Sequence, residues 1–96
     1  MTVDFERINA AALAVLPTLA ARWFPEGARE GREWVVGDLS GTPGRSLKIN
    51  LRSGVWRDFA TGDGGSDPVS LAAAISGLSQ VEAARRLADM LGVDHG

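Results

Sequence analysis

The chain has 96 residues, no cysteine and a formal net charge of −2, with 45% apolar and 23% charged residues. These values predict one globular domain. The absence of cysteine excludes disulfides and cysteine-based zinc sites, and the net negative charge argues against wholesale non-specific binding of nucleic acid but does not exclude a local basic patch. The alanine-rich stretch 10–21 is short and interrupted by Pro17, so it cannot span a bilayer. With no signal-peptide pattern either, we expect a cytoplasmic protein without membrane contact.

Residues 1–25 predict a helical segment. Apolar residues recur at helical spacing from Phe5 to Leu16, and Thr2 is a suitable N-cap. Pro17 either kinks this helix or begins a second one, which ends before Pro25. A membrane or partner helix is the alternative, but no basic face accompanies the apolar stripe. We therefore expect a helix pair that packs on the core.

Residues 33–61 predict a small antiparallel sheet, because apolar and polar residues alternate between turn signals. A charged connector at 26–33 precedes it. The first strand is at 33–36, with Trp34 and Val36 on one side, and a loop at 37–45 follows. The second strand is at 46–52 and ends in a two-residue turn at Ser53-Gly54. The region is therefore a β-hairpin plus one further strand.

The two-residue turn sets the register of the hairpin. It opposes Ile49 to Asp58 and Lys48 to Phe59, and it opposes Leu51 to Trp56. Opposed residues share a face of the sheet. Trp56 and Asp58 are therefore expected on the buried face, and Lys48 and Phe59 on the outer face.

Residues 67–92 predict a helical hairpin, which follows a glycine-rich turn at 62–65 that needs positive φ. The residues that delimit its two helices are Asp67 (cap), Pro68 (first turn), Gly77 (end), Ser79 and Glu82 (capping box) and Gly92 (end). Val81 is among the residues expected in the core. The predicted class is α+β: a small antiparallel sheet packed with N-terminal and two C-terminal helices in one domain.

The sequence predicts no catalytic residue, no cofactor and no metal site. The glycine corner could cradle a phosphate, but Asp63 and Asp67 would repel an anion there. These two residues and Asp58 lack the ligand alternation of a calcium loop, so turn and cap roles are favoured. His95, the only histidine, lies in the last two residues, where a frayed tail is the favoured interpretation. No base accompanies the serines.

The distribution of charge along the chain says more about function than these isolated residues do. The segment 29–57 carries six basic and three acidic residues in a chain that is net acidic. On the outer face, cations and an exposed ring would suit the phosphates and bases of a single strand. The candidate nucleic-acid-binding residues are Lys48, Asn50, Arg52, Arg57, Phe59, Arg45 and Arg32. An ordinary solvated hairpin face is an equally good interpretation of the same residues.

Two motifs occur in this order: GVWRDFATGDGGSD at 54–67 and LSQVEAARRLADMLG at 78–92. Through these motifs the chain resembles the zinc-ribbon domain at the N-terminus of bacterial, phage and plasmid DNA primases and primase–helicases. The resemblance covers about residues 32–93. In that family a Cys-x-x-Cys knuckle ends the hairpin. Here the ligand pairs would fall near Gly37 and Ser40 and at Asp58 and Thr61, so a tetrahedral zinc site cannot be built.

The resemblance implies a degenerate, metal-free zinc-ribbon-like domain from a mobile element, which binds or positions single-stranded template for a primase or helicase module on the same or another chain. Catalysis would belong to that module. The alternative is a docking domain that recruits a polymerase or helicase without binding DNA. In either case packing by Trp34, Trp56 and the N-terminal helices is expected to replace the metal, and an inward-facing Asp58 needs a hydrogen-bond donor such as Thr61 or a backbone N–H.

Overall fold

A computed structural model describes residues 2–94, so His95 and its predicted tail role lie outside the described residues. The elements of this part of the chain are α1 (Phe5–Ala14), α2 (Leu16–Trp23), β1 (Ala28–Glu30), β2 (Glu33–Val36), β3 (Leu47–Asn50), β4 (Trp56–Asp58), β5 (Gly64–Gly65), α3 (Pro68–Ser76) and α4 (Gln80–Leu91). The strands form one antiparallel sheet in the order β1-β2-β3-β4-β5. The predicted α+β class is confirmed.

The sheet is larger than the sequence predicts. The charged connector at 26–33 is not a connector, because its residues form β1 and the tight turn into β2, with Gly31 at φ 62°. The glycine corner supplies β5 at the other edge. Only glycine fits at Gly65, since a Cβ there would lie 2.2 Å from Ser70 Oγ and 2.6 Å from Trp56 Nε1.

The β3–β4 register differs from the predicted one by two residues. The structure opposes Ile49 to Trp56 and Lys48 to Arg57. Asn50 causes the shift, because its Oδ1 accepts the N–H groups of Arg52 and Ser53, each at 2.9 Å, and builds a longer turn than Ser53-Gly54 alone. A shift of two preserves the faces, so the predicted faces hold although the predicted partners are wrong.

One face of the sheet, the inner face, packs against the helices. Its strand residues Leu47 and Ile49 are fully buried, and Trp56 is 4% exposed. Trp56 Nε1 also donates to Ser70 Oγ on α3 at 3.0 Å. Among the helices of residues 2–94, none packs on the opposite face, which we call the outer face. Val81 does not join the core: it is 42% exposed on α4, contrary to the prediction.

The helix ends largely follow the sequence signals. Pro17 lies in the first turn of α2, which settles the two alternatives in favour of a second helix. The cap of α1 is Asp4 and not Thr2, because Asp4 Oδ1 accepts the Arg7 N–H at 3.0 Å. Gly77 and Gly92 end α3 and α4 in the left-handed conformation.

The capping box lies on α3 and not on α4. Asp67 accepts the Ser70 N–H at 2.8 Å, and Ser70 Oγ meets the Asp67 N–H in return. On α4, Ser79 does accept the Glu82 N–H at 3.2 Å. The Glu82 carboxylate, however, turns along the helix to Arg86 Nε at 3.4 Å, so the predicted reciprocal bond is not made.

A side chain of α1 also accepts a hydrogen bond from the N-terminus of α3. The backbone N–H of Val69 donates to Asn9 Oδ1 at 2.9 Å, across a separation of 60 residues. α1 packs against both α3 and α4, and its Ile8 and Ala12 are fully buried. The first helix therefore closes the same core that the last two helices form.

Candidate nucleic-acid interface

The strand register arranges the outer face in three rows that run across the sheet. The first row holds Glu33, Asn50 and, beside the hairpin turn, Val55. The second holds Val35, Lys48 and Arg57, and the third carries Phe59, whose N–H donates to Ser46 O at 2.8 Å. Successive rows are two residues apart along a strand, or roughly 6.6 Å.

An open groove of about 500 Å³ follows these rows. The residues that line it are Glu33, Lys48, Asn50, Val55, Trp56, Arg57, Phe59, Gly62, Gly64 and Gly65. Four of the seven predicted binding residues thus meet at one surface. Because glycines form one wall, no side chain there covers the arginine of β4.

Phe59 and Lys48 are the most distinctive pair of the groove. The Phe59 ring is 65% exposed, and Lys48 Nζ lies over it at 5.8 Å from the ring centroid. This is a cation–π contact, which keeps the ammonium beside the ring and leaves the other ring face available. A large exposed aromatic side chain next to a cation is suited to stacking a base and meeting its phosphate.

The groove carries only a small positive charge. Lys48 and Arg57 lie opposite each other on β3 and β4, and Glu33 is the one carboxylate among the lining residues. Few phosphate contacts are therefore available, so we expect modest affinity for an anionic chain and a shallow salt dependence, since each contact on a single strand adds only about 0.7 to the slope.

Arg45 is not a free cation. It forms a two-pronged ion pair with Glu30, in which Nη2 donates to Oε1 at 2.8 Å and Nη1 donates to Oε2. Since Glu30 belongs to β1 and Arg45 precedes β3, the pair crosses the outer face of β2. The hydrogen bonds lower the pKa of the Glu30 carboxyl and raise the pKa of Arg45. The structure therefore places Arg45 beside the groove, with its charge neutralised.

Arg52 and Arg32 also lie outside the groove. Arg52 belongs to the hairpin turn after β3 and not to the strand, contrary to the predicted outer-face position. Arg32 belongs to the β1–β2 turn, and its carbonyl accepts the N–H of Leu51 at 2.7 Å. Both exposed arginines occupy the end of the sheet farthest from Phe59.

The positions that would carry zinc in the resembled family form two aspartate-led turns at one end of the sheet. Asp58 is 2% exposed and accepts the Ala60 N–H at 2.9 Å, as expected for an inward carboxylate that needs a backbone donor. Thr61 accepts the Asp63 N–H at 3.1 Å. Within residues 2–94, no group of three or more His, Cys, Asp or Glu side chains is arranged to hold a metal ion.

Asp38 organises the other of these turns. Its Oδ1 accepts the N–H groups of Ser40 at 2.9 Å and Thr42 at 3.3 Å, and the Thr42 hydrogen bonds lower the pKa of the Asp38 carboxyl. Because Val36, Leu47 and Asp58 are neighbours across β2, β3 and β4, both turns leave the sheet at the same end.

Glu33 and Val55 line the groove but are not among the residues predicted from the sequence. Extending the strand pattern across three strands could have found Glu33, since it lies directly opposite Asn50. Val55 is 49% exposed and follows the hairpin turn, so only the longer turn brings it beside Asn50.

A separate cleft of about 170 Å³ lies among α2, α3 and α4. It is lined by Trp23, Ala72, Ile75, Ser76, Leu78, Ala83, Arg86, Leu87 and Met90 and is almost entirely apolar. Met90 at its rim is 46% exposed. In the described part of the chain, no helix has the length and apolar character needed to cross a membrane.

Comparison with protein-family models, with curated proteins and with solved structures finds no match for this chain.

Proposed function

We propose that this chain is a DNA-replication accessory domain that binds single-stranded DNA on the outer face and positions it for a primase or helicase module, on the same or another chain. The observation that carries the proposal is the exposed Phe59 ring with Lys48 over it, on the outer face of the sheet. Arg57 adds a second cation in the same row as Lys48. Together they supply base stacking and phosphate contacts.

The two aspartate-led turns support the resemblance to primase zinc ribbons. They emerge at one end of a hairpin-based sheet, as the two knuckles of such a ribbon would. Asp38 and Asp58 organise their turns by accepting backbone N–H groups, and this replaces metal coordination with hydrogen bonds. The proposed domain is thus a zinc-free variant of the ribbon, and it carries no catalytic residue of its own.

The test is oligonucleotide binding by fluorescence anisotropy at low and moderate salt. The wild-type chain should bind a labelled single strand with a negative salt slope, and a duplex of the same sequence should bind more weakly. Arg57→Ala should weaken binding and lower the slope by about 0.7, the value for one lost phosphate contact on a single strand. Arg52→Ala, outside the groove, should change neither quantity appreciably.

Arg85→Ala is the matched control, because Arg85 is exposed on α4, away from the groove. Absence of binding at low salt would overturn the proposal, as would equal effects of the Arg57 and Arg85 substitutions.

The alternative function is docking of a polymerase or helicase without DNA binding, and the apolar cleft favours it. A Leu- or Phe-sized side chain of a partner would fill about 170 Å³ of such a cleft. Met90→Glu would place a charge at the rim. Loss of co-elution with a polymerase or helicase encoded beside this chain, combined with no oligonucleotide binding by the wild type, would establish docking instead.

A further inference from the structure

Glu33 is unexpected in a groove for an anionic chain. Glu33 lines the groove with Lys48 and Arg57, where a carboxylate opposes phosphate binding. Within residues 2–94, no hydrogen bond or ion pair engages this carboxylate, unlike that of Glu30, which Arg45 holds. Glu33 therefore presents free acceptor oxygens to a ligand.

Asn50 lies directly opposite Glu33 across β2 and β3. Its backbone N–H donates to Val55 O at 2.8 Å, toward β4, so the pair with Glu33 is of the non-hydrogen-bonded kind. In such pairs the Cα atoms are about 4.5 Å apart and the side chains are close together. The two polar side chains therefore form one unit of the groove.

The amide of Asn50 has a fixed orientation. Its Oδ1 already accepts two backbone N–H groups, those of Arg52 and Ser53, each at 2.9 Å. The remaining group of the amide is Nδ2, which only donates. The Glu33–Asn50 pair therefore offers two carboxylate acceptors beside one fixed donor.

We propose that this pair recognises the Watson–Crick edge of guanine, an inference that rests on the proposed function. Guanine presents O6, N1–H and N2–H in a row. The Glu33 carboxylate accepts from N1–H and N2–H together, and Asn50 Nδ2 donates to O6. Adenine, cytosine and thymine each have only one suitable donor on this edge, so each forms at least one hydrogen bond fewer.

The three rows of the outer face would bind different parts of the strand. The guanine lies in the first row, where Val55, 49% exposed, supplies apolar contact. Lys48 and Arg57 in the second row meet the phosphates, and Phe59 in the third row stacks a further base without regard to its identity. The arrangement separates one selective position from one tolerant position.

An unpaired Watson–Crick edge occurs in a single strand and also in a free guanine nucleotide, so the same hydrogen bonds could recognise either ligand. The experiment compares a labelled thymidine oligonucleotide carrying one central guanine with otherwise identical ones carrying adenine, cytosine or thymine. The guanine oligonucleotide should bind about fivefold more tightly or better, the low end for a bidentate base contact. Failure of GMP to compete at equal concentration supports guanine in a strand, and equal competition supports the free nucleotide.

Two variants test the residues. Glu33→Gln should raise affinity for the three oligonucleotides without guanine, because a negative charge is lost, and should reduce the guanine preference to less than twofold, because the carboxylate that accepts from guanine is lost. Asn50→Asp keeps the acceptor that builds the turn but removes the donor, so it should also abolish the preference. Glu30→Gln is the matched control, since it removes the same charge from the neighbouring strand and should leave the preference intact.

The outcomes separate the two proposals. Equal binding of all four oligonucleotides by the wild-type chain would overturn guanine recognition and leave single-strand binding standing. No binding of any oligonucleotide would overturn both. A preference that survives Glu33→Gln would overturn the assignment to this pair.

Discussion

The same strands supply the buried side chains of the inner face and the exposed side chains of the outer face. On β3, Ile49 is fully buried against the helices, whereas its neighbour Lys48 lies on the open face over the Phe59 ring. On β4, Trp56 is 4% exposed and Arg57 is exposed beside it. Because side chains alternate along a strand, a substitution at one position should change either stability or binding, and seldom both.

The largest effect should come from the inner face. Ile49→Ala removes a fully buried side chain and should lower the free energy of unfolding by about 2–5 kcal/mol. Lys48→Ala, one residue away on the outer face, should change it by no more than about 0.5 kcal/mol. Urea denaturation followed by circular dichroism measures both values. Similar losses at the two positions would contradict the separation of the faces.

Asp58 is a buried polar residue among the apolar side chains of the inner face. Asp58→Ala should cost about 1–3 kcal/mol, because the Ala60 N–H loses its buried acceptor. Asp58→Asn keeps an acceptor oxygen and should cost less. Asp63→Ala, at an exposed position in the same turn, is the control for denaturation. Equal stability of the two Asp58 variants would argue against the turn-forming role.

On the outer face, Phe59→Ala should affect binding alone. Loss of the ring should weaken single-strand binding by about 1–2 kcal/mol, in the lower part of the range for base stacking, because Lys48 already covers one ring face. Stability should hardly change, since the side chain is 65% exposed. Anisotropy titrations measure the affinity, and denaturation measures the stability. Phe59→Trp keeps an aromatic ring at this position, so it should bind about as tightly as the wild type.

The smallest effect concerns the ion pair that crosses the outer face of β2. Arg45 lowers the pKa of Glu30 in the folded chain, so the contribution of the pair is complete above the ordinary glutamate pKa of about 4.5 and is lost as the pH falls through the lowered value. Wild type and Glu30→Gln should therefore converge in stability with acidification. Denaturation at a series of acid pH values measures this, with Glu26→Gln as the control. A gap that widens on acidification would contradict the sign.

Alternation predicts the faces of β2, β3 and β4 from the sequence because its period is two. It cannot predict the register, since the Asn50 side chain builds the turn by accepting two N–H groups. β1 escapes prediction for a different reason. Its residues, among them Arg29 and Glu30, are all exposed, so no apolar pattern indicates a strand.

The candidate site is only partly predictable for similar reasons. Lys48, Arg57 and Phe59 follow from local alternation, and the structure brings them to one groove. Arg45 is adjacent to β3 in sequence, but its charge is neutralised by a residue 15 positions earlier, a distance over which no local pattern operates. Glu33 belongs to a different strand and enters the site through the sheet register alone.

The hydrogen bond from Val69 to Asn9 has a consequence for the order in which the chain assembles. The sheet is a meander of neighbouring strands, and α3 and α4 form a local hairpin, so both need only short loop closures. α1 meets α3 across about 60 residues and α4 across more, and it is synthesised before either. We therefore expect its apolar stripe to stay uncovered until the last helices are synthesised, and we expect docking of α1 to join the sheet and the helical hairpin late in folding.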